Sequence, residues 1–210
     1  MLSIFIQATF FYNCCVEKKK LEKLLDLSEQ NDGYVSVAEA RDFGISQTYL
    51  CQAEELGVFR RICKGLYLKK GYALDPYYVL HFRYHKAVFC LRSALFLHGL
   101  IPSPVQMEVA LPRNYMTAGI EGASITRKNE SAYLLGWSLG VSPHGPLVPV
   151  YDLEMTIIDV ILQKDKFEDL EYVNILDHLP KEKIDREKLF SYARTLKKEE
   201  VIFAVLKGRI

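Results

Sequence analysis

The stretch SVAEARDFGISQTYLCQAEELG, residues 36–57, decides how the amino-terminal third of this chain is read. Ser36 with Glu39 three residues on forms a capping box, in which hydroxyl and carboxylate each take an amide that the helix start leaves open. Val37, Ala40 and Phe43 supply the apolar stripe of a short helix, and Gly44 can adopt the positive φ that ends it. Ser46 then caps a second helix, about Gln47–Leu56, closed by Gly57. Two short helices across a tight glycine turn make a helix-turn-helix. On the second helix, Leu50, Ala53 and Leu56 face inward. Gln47, Thr48 and Gln52 face outward, with Tyr49 and Cys51 on the flanks. Its first half carries amides and hydroxyls and no acid, while Glu54 and Glu55 come only at the far end. A recognition helix enters the major groove by its amino-terminal residues. There glutamine can pair with adenine, and threonine can touch a base edge or the thymine methyl.

Upstream, the lysine run Lys18–Lys20 opens a helix at about Lys18–Gln30, with Leu21, Leu24 and Leu25 at helical spacing. Asn31-Asp32-Gly33 stops it. Downstream, Val58–Cys63 and Leu66–Lys69 are two β-rich runs around Lys64-Gly65, and read as a hairpin. Behind a helix-turn-helix that hairpin is a wing. Gly57–Gly71 holds Arg60, Arg61, Lys64, Lys69 and Lys70 and no acid. The whole chain has a net charge of only +1, so this is a local basic patch on a near-neutral protein. Its cations are suited to the phosphates that flank a groove. The DNA-binding set read from the sequence is therefore Ser46, Gln47, Thr48, Tyr49, Gln52, Arg60, Arg61, Lys64, Lys69 and Lys70.

The five cysteines are odd in number and form no CxxC pair, which argues against a zinc site or a disulfide framework and for reduced thiols in a cytoplasm. Residues Met1–Val16 form an apolar leader without charge. A signal peptide would carry its basic residues before the apolar run, and the run is too short to span a bilayer. The readings left for it are an extension, an upstream start, or an arm that packs on a partner.

From Leu74-Asp75-Pro76 the pattern changes. Residues 77–86 read as an aromatic amphipathic helix, Ala87–Leu91 as a short strand and Ser93–Leu100 as a capped helix ending at Gly99. Val105–Leu111, Ser124–Arg127, Tyr133–Leu139 and Leu147–Asp152 read as strands. A helix follows at about Leu153–Gln163, then helical sequence broken at Pro180. The expected fold is α+β: an apolar leader over 1–16, a winged helix-turn-helix over 17–72, and a larger mixed α/β domain with a helical carboxyl terminus over 73–210. His81 and His85 lie four apart but have no carboxylate partner that would make a metal site. No GxGxxG, P-loop or GxSxG occurs. No catalytic residue, metal or cofactor is expected, and the chain reads as not an enzyme.

The pieces Gly44-Ile45-Ser46, Gly57–Tyr67, Ser93–Leu100 and Val150–Asp159 stand in an order and spacing that resembles the AbiEi-type antitoxins of type IV toxin–antitoxin (abortive infection) systems. The resemblance covers roughly residues 18–165. It implies a transcriptional autorepressor whose winged helix binds inverted repeats in its own promoter; the symmetry of such a site in turn leads us to expect a dimer, or else two copies side by side. It also implies a second domain that counters a nucleotidyltransferase-like toxin, in many cases without a stable complex. Ser93, His98, Glu154, Thr156 and Asp159 match by position and receive no chemistry. Met155 departs from the pattern, which has a basic residue before the threonine, and the apolar leader is not part of it. Two other readings stand beside this one. In the first, the chain is a nuclease or nucleotidyltransferase with a winged-helix head, its Asp152, Glu154 and Asp159 holding Mg²⁺. In the second, it is an interaction scaffold whose winged helix contacts protein.

Overall fold

The computed structural model describes residues 18–209, so the expectation for the leader Met1–Val16 lies outside the described residues. The chain divides into two compact units. One holds the described residues up to Val79 together with the turn His144–Pro146; the other holds Leu80–Pro143 and the described residues from Leu147 onward.

In the first unit, helix α1 (residues 18–30) is followed by strand β1 (Tyr34–Ser36) and helices α2 (Val37–Asp42) and α3 (Gln47–Glu55). Strands β2 (Phe59–Cys63) and β3 (Leu66–Lys69) complete it. The capping box forms: Ser36 Oγ accepts from the Glu39 amide at 3.1 Å and Glu39 Oε2 from the Ser36 amide at 2.8 Å. Strand β1 is an addition to the sequence reading. Tyr34 and Val35 pair with Leu68 and Tyr67, so the sheet runs β1-β3-β2. Leu24, Val35, Ala40, Ile45, Leu50, Ala53, Phe59 and Tyr67 share one buried cluster, which clamps the helices to the sheet. Two residues expected inside are outside: Phe43 is 52% exposed and Leu56 75%. Both are the residues at which their helices end, where the backbone leaves the helical phase that had placed them inward.

The boundary between units lies beyond the 72/73 break expected from the sequence. Asp75 is fully buried in the first unit. Its amide donates to Tyr34 Oη at 2.7 Å, and its Oδ1 accepts from the amides of Tyr77 and Tyr78, which open helix α4 (Pro76–Arg83). Its Oδ2 accepts from the His144 amide at 2.9 Å. The ring of Tyr78 lies 4.5 Å from that of Tyr34. A residue that reads as linker is a hydrogen-bond hub.

The second unit is built on a five-stranded sheet of order β6-β5-β4-β8-β7, from β4 (Val88–Phe89), β5 (Met107–Pro112), β6 (Ala123–Lys128), β7 (Trp137–Val141) and β8 (Leu147–Tyr151). The pairs β5–β6 and β4–β8 are parallel and the others antiparallel. Helices α5 (Leu91–Leu97) and α7 (Leu153–Leu162) share its core with α8 (Asp169–Asp177), α9 (Arg186–Thr195) and α10 (Glu199–Leu206). The strand expected over Tyr133–Leu139 starts only at Trp137. Tyr133 and Leu134 belong to the short helix α6 (Glu130–Leu134), because Asn129 Oδ1 accepts from the Ala132 amide and starts a helical turn. Gly136, at φ +70°, makes the break; a Cβ there would sit 2.5 Å from Met155 Cβ. The architecture is α+β, as the sequence pattern implies.

Candidate nucleic-acid interface

Helix α3 begins at Ser46, whose Oγ accepts from the Tyr49 amide at 3.3 Å. Its first turn contains no acid. Ser46, Gln47, Thr48 and Gln52 are exposed, and Tyr49 and Cys51 are half-buried on the flanks. The side chains of Gln47, Thr48 and Gln52 make no hydrogen bond among the described residues. The helix therefore presents the positive end of its dipole and a row of uncommitted polar groups to solvent. Glu54, at the far end, is committed: its Oε1 accepts from the Arg61 amide at 3.1 Å and ties α3 to β2. On the other flank Cys51 Sγ lies 3.6 Å from Tyr67 Oη. Burial, with Cys51 adding, pushes the Tyr67 phenol up to about 12.

The wing forms as a β2–β3 hairpin turning at Lys64-Gly65, with a bulge between Arg61 and Cys63. Strand alternation divides its cations. Arg61 pairs across with Tyr67, on the face that packs against the helices, and Arg60 pairs with Leu68, on the opposite face. Arg60 lines a shallow groove with Lys70 and Tyr72. Lys64 is exposed at the hairpin tip. Lys69 is taken by an ion pair with Glu29 of α1, and Tyr72 Oη donates to the same carboxylate at 3.2 Å. These two bonds hold the Glu29 carboxyl below its usual range. Of the wing cations, Arg61 adjoins α3 through Glu54; Lys64 is exposed at the tip, Lys69 is occupied, and Arg60 lies on the opposite face of the hairpin, beside Lys70.

One contributor escaped the sequence reading. Lys20 of α1 lies over the Tyr49 ring, with Nζ 5.8 Å from its centroid. Leu21, Tyr49, Gln52 and Leu56 line a groove of about 340 Å³ between α1 and α3. The run Lys18–Lys20 was legible only as a helix opening. Its approach to α3 is a tertiary fact.

The carboxylates of the second unit are arranged quite differently. Asp152 caps α7, accepting from the Met155 amide at 2.8 Å, from Tyr192 Oη at 3.0 Å and from Lys188 Nζ at 2.9 Å. Glu154 is buried and accepts from the Asp185 amide at 2.9 Å, with Lys188 Nζ 3.3 Å away. Lys188, though partly desolvated, is raised by these two carboxylates. Asp159 is buried and holds Lys128 Nζ with both oxygens, at 2.7 and 2.6 Å. Burial pushes the Asp159 carboxyl up, and Lys128 opposes it. Thr156 Oγ1 donates to the Tyr151 carbonyl at 3.2 Å, and His98 Nε2 lies 2.8 Å from the same oxygen. Ser93 Oγ accepts from the Glu108 amide at 2.8 Å. These positions tie α5, α7, α9 and the sheet together. Among the described residues no group of three or more His, Cys, Asp or Glu is placed to hold a metal ion. The rings of His81 and His85 are 6.3 Å apart, edge to face. Cys51 and Cys90 are in no disulfide. No helix of the described residues is long and apolar enough to cross a membrane.

Residues 22–68 match the family model described as "Transcriptional regulator, AbiEi antitoxin". The resemblance read from the sequence is borne out over that segment, which is the winged helix-turn-helix itself. No curated protein gives a significant match. Among solved structures, the chain is similar to that titled "Crystal structure of RV2827C protein from Mycobacterium tuberculosis". The identity is 14%, with 84% of this chain and 76% of that one covered and a TM-score of 0.50. At that identity the likeness is one of fold.

Proposed function

We propose that this regulator-type chain is a DNA-binding antitoxin and transcriptional autorepressor of a type IV toxin–antitoxin operon, acting without catalysis of its own. The observation that carries the reading is the exposed, acid-free start of α3, with Gln47, Thr48 and Gln52 unengaged, on a module whose wing exposes Arg61 and Lys64. Gln47 and Gln52 read base edges in the major groove. Ser46, Tyr49, Arg61, Lys64 and Lys20 fix the register on phosphates. Arg60 and Lys70 add to the cationic field, and Lys69 contributes on release from Glu29. The DNA is an inverted repeat in the protein's own promoter, bound by a dimer or by two copies side by side. The toxin is a nucleotidyltransferase-like product of the neighbouring gene, countered functionally. A cytoplasmic location goes with this role.

The test is equilibrium binding of the full chain to its own upstream DNA across a salt series. Wild type binds the repeat in preference to scrambled duplex, with affinity falling linearly in log–log form against salt. The double variant Gln47→Ala/Gln52→Ala retains the salt dependence and loses the preference. Unchanged affinity and preference in that variant overturns the recognition-helix assignment. The antitoxin part is tested by co-expression with the adjacent reading frame, where growth rescue by this chain is expected.

A further inference from the structure

Strands β5 and β6 run parallel to the end, Pro112 opposite Lys128, and the Arg113 amide donates to the Lys128 carbonyl at 2.7 Å. Ligands of open sheets commonly lie beyond the carboxyl ends of parallel strands. At this place the second unit has a cavity of about 360 Å³, walled by Arg113, Thr126, Arg127, Lys128, Asp159 and Gln163. A second cavity, of about 590 Å³, shares Arg113 and Asn129 with it and adds Lys86, Asn114, Glu130 and Tyr133. Both are of the size of small-ligand sites.

The cations that line them outnumber the unpaired acids, of which Glu130 in the larger cavity is one. Lys128 is neutralised: its ammonium is clasped by Asp159 and sits 4.0 Å from the centre of the Tyr151 ring. Arg113, Arg127, Lys166 and Lys86 enter no ion pair among the described residues. Two of them are nonetheless held in place. Arg127 Nη1 donates to the carbonyls of Pro112 and Tyr115, leaving the rest of its guanidinium fork open. Lys166 Nζ donates to Thr126 Oγ1 at 2.8 Å, on the wall of the smaller cavity. Gln163 accepts from Thr126 through Oε1, which leaves its amide N–H₂ as a donor. Arg113, Arg127 and Gln163 thus line the smaller cavity, and Lys166 is bound to its wall at Thr126. In the larger one the Tyr133 ring is fixed by its hydroxyl, which donates to the Lys86 carbonyl at 2.8 Å, and Asn114 and Asn129 line the same cavity, Asn129 with its Oδ1 engaged and its N–H₂ open.

We propose that the carboxyl ends of β5 and β6 form a nucleotide-binding site, with phosphoryl groups against Arg113, Arg127 and Lys166 and the base against Tyr133 and the asparagine amides. Planar guanidinium forks suit phosphate oxygens, and an aromatic ring with nearby amides suits a base. Two adjoining concave cavities fit a mononucleotide, whereas a single strand would need a groove extended over several nucleotides. The site lies within the second unit and goes beyond the operator-binding reading. It stands or falls independently of it, and would give a regulator a small-molecule input.

The experiment is calorimetric titration of the full chain with ATP, GTP and inorganic pyrophosphate at low salt, beside Arg113→Glu and a control reversal, Arg186→Glu, at an exposed position away from both cavities. The Arg113 side chain makes no hydrogen bond or ion pair, so its reversal leaves the fold intact, checked by an unchanged Tm. The expected result is saturable binding of a nucleotide, competed by pyrophosphate, at least about tenfold weaker in Arg113→Glu and unchanged in Arg186→Glu. No binding of any of the three probes at about 1 mM overturns the proposal. So does equal binding by Arg113→Glu, and so does tight binding of a short single-stranded oligonucleotide that nucleotides do not displace.

Discussion

Helices α3 and α7 start in the same way and are used in opposite ways. Each has an oxygen-bearing cap, Ser46 or Asp152, taking the amide three residues on. At α3 no acid follows, and the polar side chains of the first turn look into solvent without partners. At α7 the cap and Glu154 are acidic, the helix is buried from Glu154 to Ile161, and every carboxylate has a donor. The lesson is that a polar residue near a helix start becomes a recognition group only where the fold leaves it exposed and unpaired. Where it is buried and satisfied, it fastens elements together. Asp152, Glu154 and Asp159 are fasteners in this sense.

The contrast can be broken most forcefully at Asp159. Asp159→Ala strands the Lys128 ammonium in the interior and should destabilise the chain by about 3–5 kcal/mol, read by urea unfolding. Lys128→Met/Asp159→Leu should recover most of that loss, since a buried pair replaced by apolar groups of similar size is often neutral. A loss below about 1 kcal/mol for the single variant would mean that the pair is not buried as described. On the recognition side, Gln47→Ala/Gln52→Ala should cost about 1–3 kcal/mol of discrimination for each base no longer read while moving stability by less than about 0.5 kcal/mol. A large fall in Tm would place these amides among the fasteners.

Removing Ser46 Oγ, as Ser46→Ala, should cost about 1 kcal/mol of stability by deleting the cap, and weaken DNA binding by misplacing the first turn of α3. The wing sharpens the comparison further. Arg61→Ala and Lys64→Ala should each reduce the log–log salt slope of binding by about one. Arg60→Ala and Lys70→Ala, on the other side of the hairpin, should change it less. Equal slopes for all four would show that the DNA wraps both faces.

The smallest expected effect is at His81, which burial, with His85 adding, holds below its usual range. The folded chain then binds a proton less readily than the unfolded one, so stability declines as pH falls through about 6.5. The ring is only partly buried, which makes this the mildest of the effects. His81→Phe should flatten that part of the pH–stability curve, and a curve of unchanged slope would show that the acid sensitivity lies elsewhere.

The local signals alone gave the ends and capping of α2 and α3, the Lys64-Gly65 hairpin and the charge polarity of α3, because each depends on residues within a few positions of one another. Strand β1 was missed because three residues leading into a cap carry no periodicity; only pairing with Leu66–Leu68 makes Tyr34–Ser36 a strand. Asp75 read as a linker because its partners Tyr34 and His144 are far away in sequence. The extra turn at Glu130–Leu134 was hidden by apolar residues that suit a strand equally well.

What the sequence determined by itself was the helix-turn-helix with its wing and the absence of acid at the start of α3, since caps, glycine turns and charge order are short-range properties. Only the tertiary structure decided that Lys20 stands beside that helix, which carboxylates are neutralised, and that Arg113 and Arg127 share the lining of one cavity. Exposure and pairing are properties of neighbours in space, and a charge acquires its role from what the fold sets within a few ångströms of it.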